Sequence, residues 1–231
     1  ILLLLDTLVF HFPYGGNAMS IDDATRTQLI DSLEKFVRER LIPLEAIVEK
    51  EDRIPSDVVE EMKTMGLFGL SIPEEYGGLG LNMLDDVSVN IIFGHTTPPF
   101  STIFGTNIGI GAQGIVIDGT EDQKKKYLPQ MASGQTISAF ALTEPGSGSD
   151  AASLKTTAIK DGNHYVLNGT KRYITNAPEA GIFTVMARSD PKTPGSKGIS
   201  AFIVERDTPG LSIGKQDIKM GQQGTHTADV I

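Results

Sequence analysis

The hydrophobic periodicity of this 231-residue chain changes once, near Gly134. From Ser20 to about Gly134, apolar residues recur at the three- and four-residue spacing of amphipathic helices. Beyond Gly134 the chain consists of short runs rich in β-branched and aromatic residues, which is the pattern of strands. Helices followed by strands predict an α+β protein, since a parallel sheet requires strands that alternate with helices.

Five helical segments are predicted before this change, over residues 20–43, 56–66, 83–93, 101–117 and 120–134. The first is expected to begin at an N-cap, Ser20, and to end at Pro43. The last opens with a capping box formed by Thr120 and Gln123. The third and fourth are apolar enough to be expected as buried helices.

After Gly134, strands are predicted over residues 136–142, 154–159, 164–167, 171–175, 182–187 and 199–204. A further strand is indicated where the sequence ends in Ala228-Asp-Val-Ile231. The dipeptides Asp161-Gly162 and Asn168-Gly169 separate neighbouring runs, and such dipeptides are strong signals for tight β-hairpins. The strands are therefore expected to pair in antiparallel fashion.

Composition and charge exclude several classes of function. The chain has a net charge of −9, so a nucleic acid is not an expected partner, because phosphate binding requires a basic face. It contains no cysteine, which excludes disulfides, thiolate catalysis and cysteine-ligated metal sites. The four histidines show no metal-ligand spacing to each other or to a carboxylate pair.

Residues 1–18 differ from the rest of the chain. Residues 1–10 are apolar but too few to span a bilayer, they are interrupted by Asp6, and no basic region precedes them. Met19-Ser20 has the form of a natural start. We interpret residues 1–18 as an extension that is not native, with a targeting segment as the alternative. No later stretch is expected to cross a membrane.

The most distinctive motif is the sequence FALTEPGSGSD at residues 140–150. Two of its glycines, Gly146 and Gly148, can adopt positive φ, and the turn is expected to expose several backbone N–H groups. Side chains that can add further donors are Thr143, Ser147 and Ser149. A cluster of donors after a strand suits a phosphate or the polar edge of a cofactor, although the residues alone favour a plain turn from strand to loop.

Two other features of the sequence have simpler interpretations. Glu144 has the chemistry of a general base, but a carboxylate before a proline in a turn more often accepts bonds from local N–H groups. The sequence GIGAQG at residues 109–114 has the spacing of a dinucleotide-binding loop. It lacks the strand that must precede such a loop, so we interpret its glycines as allowing close packing of a helix.

Four segments together resemble the acyl-CoA dehydrogenase family. They are residues 72–81 (IPEEYGGLGL), 119–129 (GTEDQKKKYLP), 140–150 and 173–177 (YITNA), and they occur in the family's order. The resemblance implies an N-terminal helical domain over 19–135 and a middle, antiparallel β-barrel-like domain over 136–231. The helical bundle that follows in the family is absent from these 231 residues.

The resemblance also implies an FAD site. Its cofactor-binding residues would be Phe140, Leu142, Thr143, Gly148, Ser149, Tyr173 and Thr175. Among these, Tyr173 would lie beside the flavin ring and Thr175 at its reactive nitrogen, while Ser149 would also contact the acyl-CoA substrate. The loop at 74–78 would be structural and shape the approach to the acyl site.

The family reaction is the α,β-dehydrogenation of an acyl-CoA thioester, with electrons passed to an electron-transfer flavoprotein. The resemblance implies a catalytic glutamate beyond residue 231, a homo-oligomer (dimer or tetramer), and a cytoplasmic or mitochondrial-matrix location. Residues 1–231 alone are expected to be inactive and to hold FAD weakly or not at all. The alternatives are an acyl-CoA oxidase or flavin monooxygenase, or a non-catalytic acyl-CoA-binding protein.

Overall fold

The computed structural model describes residues 21–231. The interpretation of residues 1–18 and the N-cap predicted at Ser20 lie outside this part of the chain. Within it, seven α-helices precede the strands and confirm the α+β class. They are α1 Asp23–Phe36, α2 Glu45–Glu51, α3 Ser56–Thr64, α4 Met83–Phe93, α5 Pro99–Thr106, α6 Gln113–Asp118 and α7 Glu121–Ala132.

The ends of the helices follow local chemistry. Asp22 caps α1, because its carboxylate accepts the backbone N–H of Thr25 at 2.8 Å. The prediction that Pro43 ends the first helix is wrong. A π-helical turn and a 3-10 turn connect α1 to α2, and Pro43 lies in the first positions of the 3-10 turn, where its missing N–H has no cost. The capping box of Thr120 and Gln123 at α7 is confirmed.

Helices α6 and α7 belong to a separate apolar cluster, and α1–α5 share one core, which contains Phe68, Phe93, Phe100 and Phe104. The prediction that 83–93 is a buried helix is only half right. One side of α4 contributes Val89, Ile92 and Phe93 to this core, but its four other apolar side chains are 47–73% exposed. The exposed set is Met83, Leu84, Val87 and Ile91.

The stretch Pro99–Asp118 is long and apolar enough to cross a membrane by length and composition, contrary to the sequence-based expectation. In this fold it is not a straight helix, because Gly109 has non-helical dihedral angles (φ −82°, ψ −106°) between α5 and α6. Phe100, Phe104 and Ile108 from this stretch pack into the helical core. Packing inside the protein therefore accounts for part of its hydropathy, while Ile110 and Ile117 are exposed.

The second part of the chain forms two small sheets. The strands are β1 Ser138–Ala141, β2 Thr157–Asp161, β3 His164–Asn168, β4 Lys171–Thr175, β5 Ile182–Arg188, β6 Ile199–Glu205 and β7 Thr227–Val230. The first sheet has the order β1-β5-β2-β3, with β6 on the other edge of β5, and the second sheet contains β4 and β7. Apolar residues between the sheets, including Ala139, Ile174 and Phe183, form a second core.

Two details of the predicted β domain need correction. The sheets do not close into a barrel, and β5 pairs with both β1 and β2 in parallel, so the domain is not purely antiparallel. Asp161-Gly162 does form a hairpin turn between β2 and β3. Asn168-Gly169 does not, because β4 leaves the first sheet and pairs with β7. A glycine is required at position 169 for steric reasons, since a Cβ would lie 2.3 Å from the Thr156 hydroxyl.

The helical part and the first sheet meet through a buried polar junction. The side-chain oxygen of Asn107 accepts the backbone N–H of Ser138 at 2.9 Å, and its amide donates to two backbone carbonyls. A Cβ on Gly111 would lie 2.0 Å from the Ser138 hydroxyl. Gly111 of the GIGAQG sequence therefore allows a helical segment to pack closely against β1, as predicted, whereas a Cβ on Gly109 or Gly114 would meet no close contact.

The two sheets are joined by a buried ion pair. Lys171 in β4 donates to a carboxylate oxygen of Glu144 at 2.9 Å, and the two residues are only 2% and 8% exposed. The same carboxylate accepts the backbone N–H groups of Lys155 and Thr156 at 2.6 and 2.8 Å. Lys171 also donates to the Leu142 carbonyl at 3.1 Å. The turn after β1 is thus fixed to the start of β2 and to β4.

These contacts determine the charge state of the pair. Burial by itself raises the pKa of Glu144, but bonds from Lys171, Thr156 and two backbone N–H groups outweigh it and lower the pKa to about 2. Burial lowers the pKa of the Lys171 ammonium, and the Glu144 carboxylate opposes this effect. Glu144 is therefore ionised across the physiological pH range.

We predict that Lys171→Met lowers the free energy of unfolding by about 3 kcal/mol, because it leaves the Glu144 carboxylate buried without its cation. Urea unfolding followed by far-ultraviolet circular dichroism measures this loss. Lys126→Met is the matched control, since Lys126 pairs with Glu205 at the surface, where both side chains are at least half exposed. The control should cost much less, because a solvent-exposed ion pair contributes little to stability. Equal losses in the two variants would contradict a special role for the buried pair.

A second prediction concerns acid. The pKa of Glu144 is about 2 in the folded protein and near 4.5 when unfolded, so its contribution is complete above pH 4.5 and is lost as the pH falls towards 2. The free energy of unfolding of the unmodified protein should therefore exceed that of Glu144→Gln most at pH 7, and the difference should shrink below pH 4.5. Urea titrations at several pH values test this. A difference that stays constant from pH 7 to pH 3 would show that Glu144 does not titrate as described.

Candidate functional site

The turn after β1 is closed by its own residues. Glu144 and Ser147 exchange two backbone hydrogen bonds, of 2.9 and 3.1 Å. The Ser147 hydroxyl is buried and donates to the Asp150 carbonyl at 2.5 Å. Ser147 is therefore used within the turn and does not serve as a free donor, contrary to the sequence-based expectation. Gly148 and Ser149 lie on the exposed side of the turn.

The glycines of this turn leave its backbone uncovered. Neither Gly146 nor Gly148 has a positive φ, so the predicted reason for their presence is wrong. A Cβ at either position would meet no atom within 4 Å. Among the hydrogen bonds of residues 21–231, the backbone N–H groups of Gly146, Gly148 and Ser149 donate none. The turn thus offers several free donors beside two glycines without side chains, where a ligand can approach the backbone closely.

Tyr173 has an unusual backbone conformation for a strand residue. Its φ is +58°, in the left-handed region that non-glycine residues rarely adopt, and the register of β4 against β7 shifts between Lys171 and Ile174. Such a bulge redirects one side chain away from the alternating pattern of the strand. The Tyr173 side chain is consequently 61% exposed, while Ile174 next to it is buried.

The neighbouring Arg172 connects several segments. Its guanidinium lies 4.5 Å from the centre of the Tyr173 ring. The same group binds Asp229 at 2.8 and 2.9 Å and Asp217 at 3.3 Å. Its backbone N–H donates to the Thr143 carbonyl at 2.7 Å. Arg172 therefore contacts the turn, β7 and the loop that precedes β7.

The structure brings the two halves of the predicted site together. Backbone and side-chain bonds from β4 reach the carbonyls of Leu142 and Thr143, so the exposed turn and Tyr173 belong to one rigid unit. Phe140 lies in β1 and is half-buried, as are Leu142 and Thr143 beyond it. Thr175 is half-buried at the end of β4, opposite Thr227 of β7.

This arrangement suits binding more than acid–base chemistry. Glu144 is ionised and accepts bonds from four donors, so it is not the free carboxylate that a general base requires. The expectation that its partners are local N–H groups is wrong, because these donors belong to residues 11 to 27 positions later. Within residues 21–231, no group of three or more histidine and acidic side chains could hold a metal ion.

The site is an open surface and does not coincide with a deep pocket. A cavity of about 410 Å³ lies elsewhere, between the α6–α7 segment and strands β5 and β6. A second, of about 270 Å³, is lined by residues such as Ile54, Asn176 and His226. Neither cavity is lined by any of the seven residues predicted to bind the cofactor.

Sequence reasoning did not find the residues that support the site. Nothing in the spacing of Glu144 and Lys171 indicates that they pair across 27 residues. Lys171 is a lysine at a buried strand position, which is a weak signal, since buried lysines need a partner. The bulge at Tyr173 and the role of Arg172 depend on β7, which lies more than 50 residues later.

Comparison with known proteins identifies both parts of the chain. Residues 23–135 match the family model for the acyl-CoA dehydrogenase N-terminal domain, and residues 139–231 match the model for its middle domain. An acyl-CoA dehydrogenase of Bacillus subtilis is 41% identical over 196 residues, which is 85% of this chain and 52% of the relative. The chain thus spans about half the length of the curated relatives it matches.

Solved structures agree with this assignment. An acyl-CoA dehydrogenase from Bacillus anthracis, complexed with FAD, superimposes with a TM-score of 0.80 and 38% identity, over 91% of this chain and 36% of that one. The prolyl acyl carrier protein oxidase AnaB superimposes with a TM-score of 0.83 and 33% identity, over 90% of this chain and 55% of that one. The fold, the two domain matches and the relatives together show that this chain belongs to the acyl-CoA dehydrogenase family, a family of flavoprotein oxidoreductases.

Proposed function

We propose that this chain forms one face of an FAD site and that the protein it belongs to dehydrogenates acyl-CoA thioesters at the α,β position. One observation carries the proposal: the free N–H groups of the turn and the exposed Tyr173 are joined into one rigid surface by bonds from β4. An exposed aromatic ring beside uncovered backbone donors is complementary to a cofactor with a flat ring and a charged pyrophosphate.

The residues present fit FAD in their chemistry. A pyrophosphate needs several donors, which the free N–H groups of the turn supply, and the buried carboxylate of the turn, Glu144, is already neutralised by Lys171. The exposed carboxylate of Asp150 accepts the Ser153 hydroxyl. A flavin ring needs a flat apolar neighbour, which Tyr173 can provide because its side chain is exposed. The turn and the tyrosine come from different strands, so the ligand would be held from two sides.

Each predicted residue then has a role. Gly148 and Ser149 would donate backbone N–H groups to the cofactor, and the half-buried side chains of Phe140, Leu142 and Thr143 would line the approach from β1. Tyr173 would lie beside the flavin ring, and the Thr175 hydroxyl would bind at its reactive nitrogen. Ser149 would in addition contact the acyl-CoA.

FAD, when bound, supplies the two-electron acceptor for the β-hydride. The residues of this chain would hold the ring rigidly, keep water from one of its faces and present the substrate between the turn and the helices. None of the seven predicted residues is a base, and Glu144 is committed to its partners, so we assign proton abstraction to a residue outside this surface. The glutamate expected beyond residue 231 is that candidate.

The partners follow from the same proposal. The substrate is an acyl-CoA, the electron acceptor is an electron-transfer flavoprotein, and the complete protein is a homo-oligomer. A second candidate function is an acyl oxidase, in which reduced flavin reacts with oxygen. The similarity to the acyl carrier protein oxidase favours this function. That oxidase superimposes on 90% of this chain, and the Bacillus anthracis dehydrogenase on 91%.

We predict that Gly148→Val weakens FAD binding by about tenfold or more, because the new side chain covers the free donors of the turn. The melting temperature should not fall, since a Cβ at Gly148 meets no atom of the protein. The affinity of residues 1–231 for FAD is expected to be low, so titration should extend to high micromolar FAD and follow flavin fluorescence anisotropy.

Gly221→Val is the matched control for that measurement. Gly221 lies in another loop, is exposed and also has open space around its Cβ position. This variant should bind FAD as the unmodified chain does. If both valine variants behave identically, the turn is not the binding surface.

We further predict that the complete gene product oxidises acyl-CoA thioesters when ferricenium replaces the physiological acceptor. The expected product is the 2-enoyl-CoA, detected by liquid chromatography, with little hydrogen peroxide formed in air. Substantial peroxide instead of acceptor reduction would favour the oxidase. No oxidation of short-, medium- or branched-chain thioesters by FAD-loaded protein would refute both enzymatic functions.

A further inference from the structure

We propose that Arg172 is a positioning residue that fixes the Tyr173 ring as one wall of the cofactor site, without touching the cofactor itself. The inference deepens the proposed function and rests on it. It assigns a role to a residue that was not among the predicted site residues. The underlying observation is that the Arg172 guanidinium lies over the Tyr173 ring, 4.5 Å from its centre.

Tyr173 needs such a partner because its own surroundings do not hold it. The side chain is 61% exposed, so few packing contacts restrict its rotamers. Its left-handed backbone and the bulge in β4 aim it outward, away from the core that Ile174 enters. A flat ring that must receive a cofactor binds better when it is already fixed, because the cost of ordering it has been met before binding.

Arg172 is itself held firmly. Asp229 in β7 accepts two bonds from one guanidinium nitrogen, at 2.8 and 2.9 Å, and Asp217 lies 3.3 Å from another. Asp217 is oriented in turn by the Thr227 hydroxyl at 2.9 Å. The planar guanidinium can stack on an aromatic ring while its edge binds carboxylates, a combination that lysine cannot reproduce.

The local charge argues against a direct ionic role. One guanidinium faces two carboxylates, so the group is more than neutralised within the protein. An anionic cofactor would gain little from such a cation, whereas a direct phosphate ligand would be expected to have an unpaired charge. The guanidinium also covers one face of the ring, which leaves the opposite face of Tyr173 for a ligand.

The first experiment examines the stack without any cofactor. In NMR spectra of residues 1–231, the side-chain methylene protons of Arg172 should be shifted upfield by the aromatic ring, and the shift should disappear in Tyr173→Leu. Tyr165→Leu is the matched control, because Tyr165 is also exposed but packs against Phe202. An Arg172 spectrum that is the same in Tyr173→Leu as in the unmodified chain would overturn the proposal.

The second experiment is a double-mutant cycle that measures the affinity of the complete protein for FAD. Arg172→Gln should weaken binding about two- to fivefold, the size expected of an exposed cation–π contact, and Arg172→Lys should weaken it similarly. Tyr173→Leu should weaken it more. Adding Arg172→Gln to Tyr173→Leu should then change nothing further, because Arg172 acts through the ring.

The outcomes separate this proposal from the proposed function. Additive losses in the cycle would show that Arg172 contacts FAD directly, and an unchanged affinity in Arg172→Gln would show that it does not position the ring; either result overturns the inference. If the complete protein and every variant of it fail to bind FAD, the FAD site assigned to this chain fails, and the NMR result still decides whether Arg172 holds Tyr173. Arg38→Gln, at an exposed helical arginine, controls for the loss of one positive charge.

Discussion

The buried pair between Glu144 and Lys171 is the contact on which the candidate site depends. It connects three separate segments, since the carboxylate also accepts N–H groups at the start of β2 and the ammonium also binds the carbonyl before the turn. A buried pair of this kind contributes little net stability compared with apolar residues of the same shape. Its value here is geometric, because it defines where the turn lies relative to β4.

Around this pair, free and occupied polar groups are separated. The carbonyls of Leu142 and Thr143 are bound by β4, and the Ser147 hydroxyl by the turn itself, whereas the N–H groups of Gly148 and Ser149 stay available. Such a division favours a ligand that accepts hydrogen bonds over one that donates them. The strongly acidic chain thus contains a local surface that suits an anion.

The sequence predicted the class of fold and the capping box of α7 well, because both depend on local pattern. The change of period at Gly134 and the helix caps involve neighbours within a few residues. The parallel pairing of β1 with β5 was not predictable, since strand partners 44 residues apart leave no local signal. The same reason applies to the bonds from Arg172 to Asp229, and to Gly169, whose role depends on contact with Thr156.

The partners of Glu144 also determine whether the eleven-residue motif at 140–150 can keep its conformation in another protein. Its carboxylate is satisfied by residues that follow 11, 12 and 27 positions later, all outside the motif. Moved alone into another protein, the segment would carry an unpaired glutamate beneath the turn and would adopt another shape. An engineer who wishes to transplant this binding surface must therefore take β1, the start of β2 and β4 as one unit.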